Sequence, residues 1–415
     1  MLLNRIWVGF FLVAIIVGLS KLLFWQDVHI FQLMGEGLFN SAKQGFEISL
    51  YMTGALCMCL GFMRIGEKGG AIRILSKAIA PLFTRVFPGV PKDHPAVGAI
   101  MMNFSANMLG LDNAATPMGL KAMRELQELN PDKERASDAQ IMFLALNTAG
   151  MTIIPISVLS ILVAENSANP TEIFLPVLIT TFCSALFALI LVAVRQRINL
   201  FHPVVIAYLG SAIAFLTGLL FCVHYYPQYT SNIASIGGNL LLIGIFALFI
   251  GLAAKKKVSV YDEFVEGAKE GFQVAITIIP FLVAMLVGIG IFRSSGAMDA
   301  LMDGLEWLFL RVGLLHTEFV DALPVGIMKP FSGGGARGLM VDVIDTYGVN
   351  DFRSKIAATM QGGTETTFYV LAVYFGSVGI KKTRYAAGVG LIVDIIGVII
   401  AILVSYMFYE VPPLK

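Results

Sequence analysis

The sequence predicts an all-α polytopic membrane protein with about nine transmembrane helices, two re-entrant broken segments and an inverted-topology repeat. Three observations carry that prediction: composition, the length of the apolar runs, and self-similarity. Of 415 residues, 57% are hydrophobic and 14% charged, whereas soluble domains carry about 25% charged residues. The apolar residues arrive in runs of about 20, the length that crosses a hydrocarbon core roughly 30 Å thick. A formal net charge of +1 leaves no polybasic face, which sets nucleic acid aside as a partner. Cys57, Cys59, Cys183 and Cys222 sit inside apolar runs without metal-type spacing and read as small buried hydrophobes.

Taken in order, the first span is Ile6 to Phe24, which follows Arg5 and shows no small-residue cleavage site, so it reads as a retained helix. The others are Gly45 to Met63, Ala139 to Ala164, Ile173 to Val194, Val204 to Tyr225, Gly238 to Ala254, Phe272 to Ile291, Ile356 to Val378 and Ala386 to Tyr409. Pro95 to Leu111 and Ala322 to Met340 are apolar but dense in Gly, Pro, Asn and Ser. Such segments read as broken and re-entrant, because irregular backbone is tolerated at membrane depth only where protein or a wet cavity satisfies it.

Lys and Arg set the orientation, since short cytoplasmic loops collect them. Arg195 and Arg197 precede the fifth span and Lys255, Lys256 and Lys257 follow the sixth, while Tyr226 to Ser235 between them holds neither residue type. Counting outward places Arg5, Lys121 to Arg135, and Lys381, Lys382 and Arg384 inside, and Glu165 to Pro170 and Lys415 outside. The N-terminus is expected inside and the C-terminus outside.

The chain matches itself at a shift of 226 residues without gaps from Gly45 to Val86, pairing Gly45 with Gly271, Gly70 with Gly296 and Arg85 with Arg311. After one inserted residue, Ile100, Met101, Phe104 and Ser105 fall on Ile327, Met328, Phe331 and Ser332. Span two runs inward and its partner, span seven, outward, so the repeats are inverted. The expected divisions are residues 1–44, an N-terminal helix and interfacial segment; 45–195, a first repeat; 196–257, two linking spans; and 258–415, a second repeat. Inverted repeats bring discontinuous helices together near the midplane of many secondary transporters.

The densest chemistry is Met360-Gln361-Gly362-Gly363-Thr364-Glu365-Thr366-Thr367, just before an apolar run. Glu365 in a membrane helix demands a partner, a proton or a solute, or serves as an N-terminal cap in the helix dipole. Lys329, Ser332 and Arg337 flank a glycine-rich turn whose amides can face an anion; Lys329 or Arg337 can equally pair with Glu365 or Asp342. In the first half, Asn103, Ser105, Asn107, Asp112, Asn113, Asn147, Thr148 and Thr152 either bind a polar solute or knit broken backbone together. Asp394, an acid within the last span, is a candidate for ion coupling together with Glu365. The candidate solute set is therefore Asn103, Ser105, Asn107, Asn147, Thr148, Lys329, Ser332, Arg337, Gln361, Thr364 and Glu365. The sequence offers no catalytic constellation, phosphate loop or metal site, and no enzyme activity is expected.

At these residues the chain resembles spore maturation proteins A and B joined in one chain. The B-like text is Ala322-Leu323-Pro324-Val325 through Gly338 and Thr359-Met360-Gln361-Gly362 through Tyr385; the A-like text includes Gly61-Phe62-Met63-Arg64-Ile65, Asn103 to Asn113 and Leu146-Asn147-Thr148. Both halves also resemble the gate, or nucleoside-recognition, modules of concentrative nucleoside transporters and the membrane part of ferrous iron transporters. Gly363-Thr364-Glu365 is similar to the nucleoside transporters' Gly-Gln-Thr-Glu run and Asn103-Phe104-Ser105 to their Asn-Phe-Ser-Ser run, with Gly363 in place of the glutamine and the halves in reverse order. The resemblance implies a bacterial cytoplasmic membrane protein moving a small polar or anionic solute, nucleoside-like or envelope-related, by alternating access. A non-transporting scaffold or regulator of envelope or spore-cortex maturation is the alternative. Expected partners are the solute and the lipid bilayer, with a homodimer and an envelope enzyme as further candidates; no cofactor is expected beyond a coupling H+ or Na+.

Overall fold

The computed structural model describes residues 2–226 and 229–412, with backbone alone for residues 2, 3, 112–114, 224 and 231. Lys415 lies outside the described residues. Apart from one isolated bridge between Arg135 and Lys382, every regular element described is helical. After α1 (Leu2–Phe24) comes a unit of seven helices: α2 (Ile30–Gly69), α3 (Ala71–Val86), α4 (Pro95–Met108), α5 (Asp112–Glu128), α6 (Asp138–Ala149), α7 (Ile156–Ala164) and α8 (Phe174–Gln196). Two linking helices follow, α9 (Pro203–Tyr225) and α10 (Thr230–Lys255). A second unit repeats the order with α11 (Val260–Ser294), α12 (Ala297–Arg311), α13 (Leu323–Met328), α14 (Gly333–Tyr347), α15 (Phe352–Gly363), α16 (Thr367–Ser377) and α17 (Ala386–Phe408).

Among the described residues, seven helices are long and apolar enough to cross a membrane: α1, α2, α8, α9, α10, α11 and α17. The other two expected crossings are each split in two. A capping box of Ser137 and Gln140 starts α6, Gly150 ends it at φ +61°, and Pro155 precedes α7. In the second unit Thr364 is extended and separates α15 from α16. Both α6 and α15 have 12 residues, and α8 and α17 have 23. Three expectations change. Helix α2 starts at Ile30 and not at Gly45; its 40 residues reach about 60 Å, with Glu36 and Glu47 on its exposed side. The Pro95 to Leu111 segment is a regular helix through Met108 whose irregular backbone is confined to its end. Of the four cysteines expected to be buried, Cys59 is, Cys57 and Cys183 are half-buried, and Cys222 is exposed.

The centre of the fold is the antiparallel pair α2 and α11, held closely by small residues. Gly45 lies against Val283 and Gly271 against Cys57; Ser41 lies against Gly290 and Gly267 against Arg64. Under the 226-residue shift, Val283 is the counterpart of Cys57, Gly290 of Arg64 and Gly267 of Ser41. Each contact therefore has its mirror. Two equivalent antiparallel helices that touch in this reciprocal way define a two-fold axis across their length, which for membrane-spanning helices lies in the membrane plane. Close small-residue approach of this kind is how helices associate in lipid.

The connecting loops gather at two opposite ends. At one end, Lys381 meets Glu134 at 2.6 Å, Arg384 meets Asp138 at 2.6 Å, and Ala136 donates its amide to the Lys382 carbonyl. At the other, Ala168 donates to the Asn350 side chain and Lys355 meets Glu172 at 2.7 Å. Helices α4 and α5 form a hairpin entering from the first end, α13 and α14 one entering from the second.

Candidate functional site

Each hairpin tip docks on the interrupted span of its own unit. The Ile153 amide donates to the Met108 carbonyl at 2.8 Å, and Gly110 packs on the Ile154 carbonyl. In the second unit the Phe368 amide donates to the Pro330 carbonyl at 3.0 Å, and Gly333 abuts Thr366. The two interruptions also touch each other: the Glu365 amide donates to the Thr148 carbonyl at 2.9 Å, and Gly150 lies against Thr364 and Glu365. Four helix ends that have lost their backbone partners thus satisfy one another at the point where the repeats meet, which is the condition for irregular backbone inside a membrane.

A cavity of about 240 Å3 opens beside this junction, lined by Asn107, Thr116, Asn147, Glu365, Tyr369, Val370, Val373 and Tyr374. The Glu365 side chain is exposed to it. Asn107 donates to the Asn147 side-chain oxygen at 2.9 Å, and Asn147 donates to the Phe143 carbonyl at 2.8 Å, so two amides are held in fixed orientation. Asn103 is buried behind the wall residue Tyr374: it donates to the Ala115 carbonyl at 2.8 Å and to the Tyr374 hydroxyl at 3.4 Å. Its own side-chain oxygen is buried without a hydrogen-bond partner among the described residues.

The remaining candidates lie elsewhere. Ser105 turns toward α3, donating to the Met101 carbonyl at 2.7 Å and meeting the Ser76 hydroxyl at 2.9 Å. Ser332 is the N-cap of α14, accepting from the Gly335 amide at 2.9 Å. Buried Lys329 donates to the Gln361 carbonyl at 2.7 Å, placing a cation at the C-terminal end of α15 where the helix dipole favours it. Gln361 reaches the Gly333 carbonyl at 3.4 Å. Thr364 packs on Gly397, which also neighbours Ser184, and the Thr148 side chain approaches Gly390. Arg337 is half-buried on α14. Asp342 pairs with Arg293 at 2.5 Å. Asp394, 2% exposed, accepts the Thr367 hydroxyl at 2.5 Å. The side chains of Asp112 and Asn113 lie outside the described residues.

The sequence candidates therefore divide into a wet group around Glu365 and a dry group behind it. Among the described residues lining the cavity there is no Lys or Arg, and the formal charge at the wall is the Glu365 carboxylate. Five wall residues were not among the candidates, and three of these, Thr116, Tyr369 and Tyr374, are polar. Tyr369 lies in the first turn of α16, four residues after Glu365 in the preceding interruption, a spacing readable in the sequence. Tyr374 and Thr116 had no such signal; the Tyr374 ring occupies the space left by Gly119 on α5.

The Gate, or nucleoside-recognition, family matches residues 50–165 and 275–381. Spore maturation protein B of Bacillus subtilis (strain 168) is 47% identical over 154 residues, 37% of this chain and 84% of that protein. Spore maturation protein A of the same organism is 37% identical over 190 residues, 46% of this chain and 93% of that protein. With two matched regions, each containing one of the interrupted spans that meet at Glu365, the chain belongs to the Gate, or nucleoside-recognition, family.

Proposed function

We propose that this protein is a secondary transporter of the bacterial cytoplasmic membrane that carries a small, uncharged or cationic, hydrogen-bonding solute. The observation that carries the reading is the convergence of both hairpin tips and both interrupted spans beside one polar cavity. Glu365 accepts solute donors, the Asn107 and Asn147 amides bind polar edges, and Tyr369 and Tyr374 offer faces to a planar ring. A nucleoside-like solute fits that chemistry better than an anion. The end bearing Lys133, Arg135, Lys381, Lys382 and Arg384 is the cytoplasmic one. Glu365 and Asp394 are the sites through which H+ or Na+ couples to transport, and no step is an enzymatic one.

The test is uptake of labelled uridine and adenosine into proteoliposomes holding the purified chain. Glu365→Gln keeps the shape and removes the charge, and is expected to lower uptake at least tenfold while a Lys329→Met chain, altered outside the cavity, retains substrate competition. A second reading, a scaffold or regulator of envelope maturation, draws on the names of the two relatives. It takes over if wild-type protein moves neither these nor cationic solutes and Glu365→Gln leaves its cellular role intact.

A further inference from the structure

We infer that a single anionic phospholipid binds in a slot on the cytoplasmic side of the first repeat, its headgroup on α3 and one acyl chain running in toward the α4 hairpin tip. The slot is an apolar cavity of about 260 Å3 bounded by α3, α4, α8 and α9. Ile79 and Phe83 form its α3 wall, Phe182 and Ala212 its sides, and Met108 and Met151 its inner end. It follows the helices from the basic loop end toward the midplane, because Met108 and Met151 belong to the hairpin tip and the interruption of span three. A passage this apolar suits a hydrocarbon chain and no polar solute.

Charge identifies the headgroup. Helix α3 carries Arg73, Lys77 and Arg85, all exposed, and no acidic residue. None of the three forms an ion pair among the described residues. Lys77 adjoins Ala78, whose carbonyl accepts the Tyr208 hydroxyl and fixes α3 against α9 at the mouth of the slot; Arg85 follows Phe83 by two residues. The repeat supplies an internal comparison. Helix α12, the counterpart of α3 at the opposite end, carries Asp299, Asp303 and Glu306 against one Arg311. The same amphipathic helix is thus basic at the end rich in Lys and Arg and acidic at the other, as expected if only the first one receives an anionic headgroup.

The inference is independent of what is transported. The purified full chain, delipidated in detergent and given equal phosphatidylglycerol and phosphatidylcholine, should retain one phosphatidylglycerol by native mass measurement. Lys77→Gln with Arg85→Gln should lower that retention on the order of tenfold, basic residues at an anionic surface being worth roughly fivefold each, while Arg311→Gln leaves it unchanged. Phosphatidylglycerol bearing a diazirine at the end of one chain should label Met108 or Met151, and Ala212→Phe should abolish that labelling. Equal retention of both lipids overturns the headgroup assignment. Labelling confined to the outer faces of α9 and α10, in wild-type protein, overturns the slot even if the Ala212→Phe chain fails to fold.

Discussion

Replacing Gly150 with Ala tests whether the two interrupted spans are in contact. Gly150 holds φ +61°, a left-handed conformation that costs an L-residue about 1–2 kcal/mol. A Cβ there would lie 2.8 Å from Glu365 Cγ, 3.0 Å from the Glu365 amide nitrogen and 3.2 Å from the Thr364 carbonyl carbon. The Glu365 side chain can swing away, but the two backbone atoms cannot move without stretching the hydrogen bond from Glu365 to the Thr148 carbonyl. Forcing packed backbone apart adds about 1–3 kcal/mol, so the substitution should cost roughly 2–5 kcal/mol. Thermal unfolding of the detergent-solubilised chain should show a lowered midpoint, and the uptake assay a larger loss than the stability change explains, because Glu365 itself is displaced. Gly218→Ala on α9 is the control: nothing lies within 4 Å of its Cβ, and Ala is the better helix former by about 1 kcal/mol. If Gly150→Ala melts and transports like Gly218→Ala, the junction described above does not exist.

A cysteine at Asn232 should react with an impermeant thiol reagent applied outside cells and one at Lys256 only after permeabilisation; labelling of both from one side would refute the orientation drawn from Lys and Arg. Cysteines replacing Ser41 and Gly290, which touch across α2 and α11, should cross-link under oxidation within one chain, and failure to do so would argue against the reciprocal pairing. Burial raises the pKa of Glu318, but a backbone hydrogen bond and those from Tyr406 (2.8 Å) and His316 (3.4 Å) outweigh it and hold the pKa below the usual 4.5. The depressed folded pKa means that this stabilisation is complete above pH 4.5 and is lost as pH falls through the lower folded value; Glu318→Gln should flatten the melting midpoint between about pH 6 and 3.

Much of the fold was legible because its constraints are one-dimensional. Apolar run length shows which segments cross, and the pair Gly45 and Gly271 at the 226-residue shift marks positions where α2 and α11 backbones approach, so the symmetry shows in residue identity. Glu365 was legible too, since an acid there has few innocent explanations. The composition of the cavity wall was not. Whether Ser105 or Asn107 faces the cavity depends on the rotation of α4, which the packing of Ser76 against Ser105 sets and no periodicity reveals in a helix apolar on most sides. The place of Lys329 was not legible for a similar reason: a buried cation can serve a helix C-terminus as well as a ligand, and the Gln361 carbonyl it bonds lies 32 residues away.

The symmetry that the two units share in order is broken in their packing, and the break bears on mechanism. Helix α7 packs along α2 and α14 along α11, at the end away from the basic loops. Their counterparts α16 and α5 make no comparable contact with α11 and α2; they pack against each other, with the Glu365 cavity beside them. Because the units are equivalent, exchanging these two patterns would give a second arrangement with the same contacts, in which α5 and α16 lie along the central pair and the cavity opens toward the other end. Two arrangements of matched packing differ little in free energy, which is what a small coupling ion or solute needs in order to tip one into the other. On the proposed transport reading, the unequal packing assigns this structure to the state open toward the basic, cytoplasmic end. A cross-link joining α5 to α2 should then trap the opposite state and leave Glu365 accessible only from outside.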